Sequence, residues 1–147
     1  MPVNLAPLLV QAALFAALLA AASVFDLRKR IIPNTICALI GAAGLIQFSP
    51  ARLPGILTAL PLLIAAMGKE NSMGGGDIKL TAAAGFVLGL GGGLVGLALG
   101  LALALLFHMV RKRLGRRPVP ASLPLAPFLS TGFTAAYFMN VIGGITL

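Results

Sequence analysis

The chain has 147 residues, 59% hydrophobic and 10% charged, with a formal net charge of +8 and a mean hydropathy of +1.05. A soluble domain carries roughly a quarter charged residues, so the composition excludes a water-soluble globule and predicts one small, all-α integral membrane domain. Continuous runs of Leu, Ala and Gly exclude a transmembrane barrel, whose strands alternate polar and apolar residues over about ten positions. The basic residues lie beside these runs without interleaved aromatics, which points to lipid headgroups and away from nucleic acid.

The first apolar run, Leu5 to Phe25, is followed by Arg28, Lys29 and Arg30 and preceded by no basic residue. A secretory signal has the opposite order, so a retained first transmembrane helix is expected, with residues 28–30 cytoplasmic. The second run covers about Ile31 to Phe48 and stops at "SPARLP"; the third covers Pro54 to Met67, with a kink expected at Pro61. Both are near or below the ~17-residue lower limit for spanning.

The fourth run, Leu80 to Val110, has 31 residues. As one helix it would be about 46 Å long at 1.5 Å per residue, against a hydrocarbon core of about 30 Å. "GLGGG" at 89–93 supplies a turn that divides it in two. A last span covers Leu123 to Val141. The expected fold is therefore an all-α polytopic membrane protein with about six helices and both termini extracytoplasmic. This arrangement leaves Arg28, Lys29, Arg30, Lys69, Lys79, Arg111, Lys112, Arg113, Arg116 and Arg117 in the cytoplasm and only Arg52 outside.

The chain has three acidic residues. Asp26 closes the first helix and Asp77 opens the fourth, which places both at the cytoplasmic edge of the bilayer. Ionisable residues bordering membrane spans usually face a bundle interior or a water-filled cavity. Two neighbouring carboxylates cannot both ionise easily, so one keeps a proton. One can then take a proton from water while the other donates to a carbonyl oxygen. The same two residues also suit an interfacial acid neutralised by nearby Lys and Arg, and a helix-dipole partner with Lys79 snorkelling to the headgroups. Spacing alone does not choose between these.

Gly74, Gly75 and Gly76 precede Asp77 and would let a substrate backbone lie close in an extended form. Glu70 is expected to be a solvated loop charge and His108 an interfacial residue. The lone Cys37 permits no internal disulfide or Cys-x-x-Cys zinc module. The pairs Gly85/Gly89, Gly89/Gly93, Gly92/Gly96 and Gly96/Gly100 carry the small-xxx-small spacing of close helix contact.

"GGGDIKL" (Gly74 to Leu80) resembles the G-x-G-D-x-K-L motif of type IV prepilin peptidases, GxGD-type aspartyl proteases of the inner membrane. "DLRKRIIPN" (Asp26 to Asn34) resembles the first-aspartate motif of that family, and "LPLAPFLS" (Leu123 to Ser130) its C-terminal Pro-x-x-Pro-Phe-Leu segment. The resemblance implies removal of the leader from prepilins or pseudopilins, after a glycine, at the cytoplasmic membrane face. It implies Asp26 and Asp77 as the catalytic pair and Gly74 and Gly76 as motif glycines shaping the site, with Lys79, Pro33 and Asn34 at further motif positions. Pro124, Pro127 and Phe128 would shape helix contacts. No metal or organic cofactor is implied.

The large bifunctional members carry a cytosolic insert between their first two helices, often zinc-binding, and also methylate the new N-terminus. The short connection here implies peptidase without methyltransferase activity, as in the tight-adherence (Flp) pilus peptidases. Archaeal preflagellin peptidases share the chemistry and are an alternative. A small proton-coupled transporter is an alternative from another class, although its coupling residues would be expected near the bilayer midplane. An inactive assembly or scaffold protein is a third.

Overall fold

Each long helix buries one stripe of its surface, and the stripes can be followed residue by residue in the structure, a computed structural model. It describes residues 5–29, 31–68, 75–115 and 125–143. Helix α1 (Leu5–Lys29) buries Gln11, Phe15, Leu19, Ala22 and Asp26. These are spaced by four, four, three and four, the period that keeps residues on one helical face. Helix α2 (Asn34–Gly44) buries Ile36, Cys37, Ile40, Ala43 and Gly44 and passes into a 3-10 turn, Leu45–Gln47. A 3-10 segment, Pro50–Ala59, leads into α3 (Leu60–Gly68). Helix α4 spans Gly75–Arg113 and α5 spans Ala126–Gly143.

The second run ends in a turn at Gln47, just ahead of "SPARLP", and the next segment opens at Pro50, earlier than the expected Pro54. Proline is tolerated in a first helical turn, where its missing N–H would have had no intrahelical partner. Residues 50–68 thereby form one of three stretches among the described residues that are helices long and apolar enough to cross a membrane, with residues 6–29 and 75–113. The winding changes from 3-10 to α at Leu60, beside the Pro61 at which a kink was expected.

Helix α4 is interrupted at Gly89, whose backbone (φ 84°, ψ 169°) lies in a region open essentially to glycine alone. The interruption is a reversal. A Cβ on Gly93 would stand 3.1 Å from the Cα of Gly85, although eight residues of straight helix cover about 12 Å. Thus the arms 75–88 and 90–113 fold back on each other, dividing the long apolar run at the first glycine of "GLGGG". The 3-10 segment packs into the hairpin, with Gly55 against the carbonyl of Gly85.

The second arm packs on α5 through small residues: a Cβ on Gly100 would lie 2.9 Å from the Cα of Leu129. In lipid, where apolar surface gains little by leaving solvent, such close backbone contact holds helices together. The glycine pattern seen in the sequence is therefore used inside the bundle. Helix α5 also packs on α1, and α2 packs on both α1 and α4.

Polar contacts fix the ends. At one end, Gln11 Nε2 donates to the carbonyl of Ala43 at 3.1 Å, and Tyr137 Oη donates to Gln11 Oε1 at 3.0 Å, joining α1, α2 and α5. Arg52 Nη1 reaches the carbonyl of Val87 at 3.2 Å, next to the Gly89 reversal. Asp26 lies about 22 Å from Gln11 along α1 at 1.5 Å per residue, at the other end. The described elements form an all-helical bundle in which successive segments run up and down, the arrangement of a multi-pass membrane protein.

The backbone at Gly89 sets up a paired test. Gly89→Ala should destabilise the protein by about 1–3 kcal/mol, because alanine is forced into a glycine-only conformation. Gly41→Ala, inside α2 with nothing within 4 Å of the new Cβ, should stabilise it by about 0.5–1 kcal/mol. Thermal unfolding in detergent should move in opposite directions for the two variants; equal shifts would contradict the assigned reversal.

Candidate active site

The inward stripes of α1 and α4 each end on a carboxylate. On α1 the series Phe15, Leu19, Ala22 continues to Asp26; on α4 the series Leu88, Ala84, Thr81 runs back to Asp77. The two helices therefore bring both aspartates to the same end of the bundle, where they line one cavity of about 280 Å³ with Asn34 and Lys79. Its remaining walls are Ile31, Ile32, Gly75 and Gly76.

Asp26 is only 7% exposed, so its carboxylate needs a partner inside the protein. Its Oδ2 accepts the backbone N–H of Ala126 at 3.1 Å. Ala126 is the first residue of α5, since the carbonyl of Leu125 already accepts the N–H of Leu129 at 3.0 Å. The first N–H groups of a helix have no intrahelical acceptor, and negative charge is stabilised there. Asp26 thus joins the last turn of the first helix to the first turn of the last. One turn deeper, Ser23 Oγ donates to Ser130 Oγ at 2.8 Å, and Ser130 Oγ is within 3.1 Å of the carbonyl of Leu19. This hydroxyl pair repeats the α1–α5 connection.

Asp77 is held differently. It is in the first turn of α4, and its backbone carbonyl accepts Thr81 Oγ1 at 2.8 Å. Its carboxyl Oδ1 is buried with no hydrogen-bond partner among the described residues. Residues two apart on a helix do not share a face, and Lys79 reaches away to donate to Asn34 Oδ1 at 2.9 Å. Asn34 opens α2 directly after Pro33, whose extended backbone (φ −61°, ψ 137°) turns the chain into the helix. The Pro33 carbonyl accepts the N–H of Ile36 at 3.1 Å.

Gly75 and Gly76 are the first residues of α4, with helical backbone, and both line the cavity beside Asp77. Gly76 is also needed for space: a Cβ there would stand 3.0 Å from the Cβ of Ile32. Small size at this position lets the entry to α2 approach the start of α4. Gly74 and Glu70 lie outside the described residues, as does Pro124. His108 and Cys37 are not on the cavity wall. Phe128 packs against Phe107 with the rings tilted and their centroids 5.3 Å apart, joining α5 to the second arm of α4.

The cavity contains acceptor chemistry on the aspartates and donor chemistry on Lys79 and Asn34. No group of three or more His, Cys, Asp or Glu side chains suited to a metal ion occurs among the described residues. The Ala126 N–H was not singled out from the sequence, because a backbone donor has no residue-type signature. Pro127 was the available signal, since proline within a first helical turn marks where α5 starts.

A model of the type IV leader peptidase family matches residues 13–139, a range containing Asp26, Asn34, Asp77, Lys79 and Ala126. A prepilin leader peptidase/N-methyltransferase of Bacillus subtilis (strain 168) is 32% identical over 137 residues, covering 88% of this chain and 55% of the relative. The chain therefore spans about half the length of that curated relative. No solved structure matches the chain significantly.

The Asp26 contact separates two substitutions. Asp26→Asn retains an oxygen that can accept the Ala126 N–H, whereas Asp26→Ala leaves that buried donor without an acceptor, a loss of about 1–3 kcal/mol. Thermal unfolding should therefore rank Asp26→Asn above Asp26→Ala; the reverse order would show that the contact does not support the fold.

Proposed function

The chain belongs to the type IV leader peptidase family, a family of proteases, and from that premise we propose that it is a membrane aspartyl endopeptidase. Its substrate is the leader of Flp-like prepilins or pseudopilins, cut after a glycine at the cytoplasmic face of the inner membrane. The supporting observation is that Asp26 and Asp77, from separate helices, line one cavity at the end of the bundle.

The two carboxyl groups share one proton. The ionised member removes a proton from water as the water oxygen attacks the scissile carbonyl carbon. The protonated member donates to the carbonyl oxygen, which gives a neutral gem-diol. On collapse, one gem-diol hydroxyl returns its proton to the carboxylate that had donated one, C=O re-forms as the C–N bond breaks, and the proton taken from water passes to the leaving amine. The different surroundings of the pair suit these roles. Asp26 has an N–H at a helix start, which stabilises a carboxylate, and the unpartnered Oδ1 of Asp77 has capacity for a bond to water or substrate.

Residues 30–33 alone connect α1 to α2. This short link supports peptidase activity without methylation of the new N-terminus, and with it the Flp-type assignment. We further place six crossings in the membrane, with both termini extracytoplasmic, by counting the arms 75–88 and 90–113 separately. Basic residues Arg28 and Lys29 and the run Arg111, Lys112, Arg113 then fall together in the cytoplasm, against anionic headgroups. The aspartates lie at this end of the bundle, whereas a proton-coupled transporter carries its coupling residues near the midplane.

Intact-mass measurement of a co-expressed Flp-type prepilin tests the activity. Wild type should remove the leader, while Asp26→Asn and Asp77→Asn should each lower cleavage by about 10²–10⁴-fold, the range for loss of a general acid or base. Cleavage that survives both substitutions would sink the mechanism. The topology has a separate test in a Cys37→Ala background. A membrane-impermeant maleimide added to intact cells should label Arg52→Cys and leave Lys112→Cys unlabelled; the opposite pattern would invert the proposed orientation.

A further inference from the structure

We infer that Lys79 and Asn34 form a pair of hydrogen-bond donors that holds backbone carbonyl oxygens of the substrate at the cavity mouth. This rests on the peptidase proposal and gives these two residues a substrate-binding role within it. Their side chains come from helices 45 positions apart in sequence, meet at 2.9 Å, and line the cavity that contains the aspartates.

The donor character follows from counting atoms. Asn34 Oδ1, the acceptor of the amide, is occupied by Lys79. What remains on Asn34 is an NH2 group and one lone pair of Oδ1, and what remains on Lys79 is the rest of an ammonium group, so donors outnumber acceptors. The bond between them therefore joins two flexible side chains into a wall that mainly donates. A peptide lying between this wall and the aspartates meets acid/base chemistry on one side and donors on the other. Extended backbone supplies the matching acceptors, because its carbonyl groups project from both edges of the strand.

The placement of the cation supports the same role. Lys79 shares a cavity with two carboxylates, yet its hydrogen bond is to Asn34, and no ion pair to either aspartate occurs among the described residues. A lysine collapsed onto Asp26 or Asp77 would favour the charged form of that carboxylate and oppose proton sharing. Asn34 keeps the ammonium off the pair while leaving it at the cavity. Because the pair is exposed, both side chains are solvated when the bond breaks, so its contribution to folding is small. Substitution should consequently be felt in substrate binding and hardly in stability.

Steady-state cleavage of a purified Flp-type prepilin by nanodisc-embedded enzyme tests this, with melting temperatures recorded for every variant. Lys79→Met and Asn34→Ala should raise KM by about tenfold with kcat changed less than about threefold, the signature of lost uniform binding. Lys79→Arg, which keeps charged donors, should stay within about threefold of wild type in KM. Asn34→Asp decides between donor and simple tether, since it keeps an acceptor for Lys79 but removes the NH2 donors. Its KM should rise at least as far as that of Asn34→Ala. A wild-type KM for Asn34→Asp would reduce the pair to a tether and overturn the inference, as would unchanged KM in all four variants. Prepilin binding to Lys79→Met, Asn34→Ala and Asn34→Asp in an Asp77→Asn background should weaken about tenfold in parallel; unchanged binding there would also overturn it. If the wild-type enzyme leaves the prepilin intact, the peptidase proposal itself fails and the donor pair falls with it.

Discussion

A carboxylate buried in an apolar bundle requires a polar partner, and the way Asp26 obtains one governs the course of the chain. Its partner is the N–H of Ala126, at the start of the last helix, so α5 must begin at the end of the bundle where α1 finishes. Every intervening segment has to fit that condition. Helix α2 leads away from the aspartate end, the stretch 50–68 returns, and the arm 75–88 leads away again. If α4 continued straight through Gly89, its second half would emerge on the wrong side and Ala126 could not reach Asp26. The glycine-only backbone at Gly89 and the hydrogen bond at Asp26 are thus parts of one solution.

The remaining contacts show how such a bundle coheres with little help from solvent. Apolar side chains facing lipid gain little by moving against one another, so close backbone approach and interhelical hydrogen bonds have to hold the helices together. Glycine contacts concentrate where α4 meets the 3-10 segment and α5. Polar links tie α1 into this frame: Gln11 and Tyr137 join α1, α2 and α5 at one end, while Ser23 and Ser130 join α1 and α5 near the other. The cavity consequently lies in a frame braced above it. Rotation of α1 that withdrew Asp26 would also break the serine and glutamine contacts on the same stripe.

Much of this was visible in the residue pattern because the membrane narrows the choices. A run of 31 apolar residues is too long for one crossing, which required a break, and the glycines at 89–93 showed where. The scarcity of acids made Asp26 and Asp77 conspicuous, and the structure brings both to one cavity. Other features had no comparable signal. The helical state of Gly75 and Gly76 was hidden because glycine permits many conformations, and at Gly76 small size against Ile32 is what matters. The role of Pro50 was obscured because proline can end one element or begin the next. The acceptance of a backbone N–H by Asp26 depends on where α5 begins in space, a tertiary fact that residue types do not encode.

Under the proposed mechanism, the same geometry bears on how two chemically identical aspartates would divide the work. Environment is what separates paired carboxyl groups into acid and base, and these environments differ in kind. Asp26 ends a helix and receives an N–H from the beginning of another; Asp77 lies in a first turn with a buried oxygen lacking a hydrogen-bond partner. A symmetric pair would need substrate to choose the direction of proton transfer. In the proposed mechanism that asymmetry comes from the connection between α1 and α5, so the interaction that closes the bundle also makes the surroundings of the two carboxyl groups unequal.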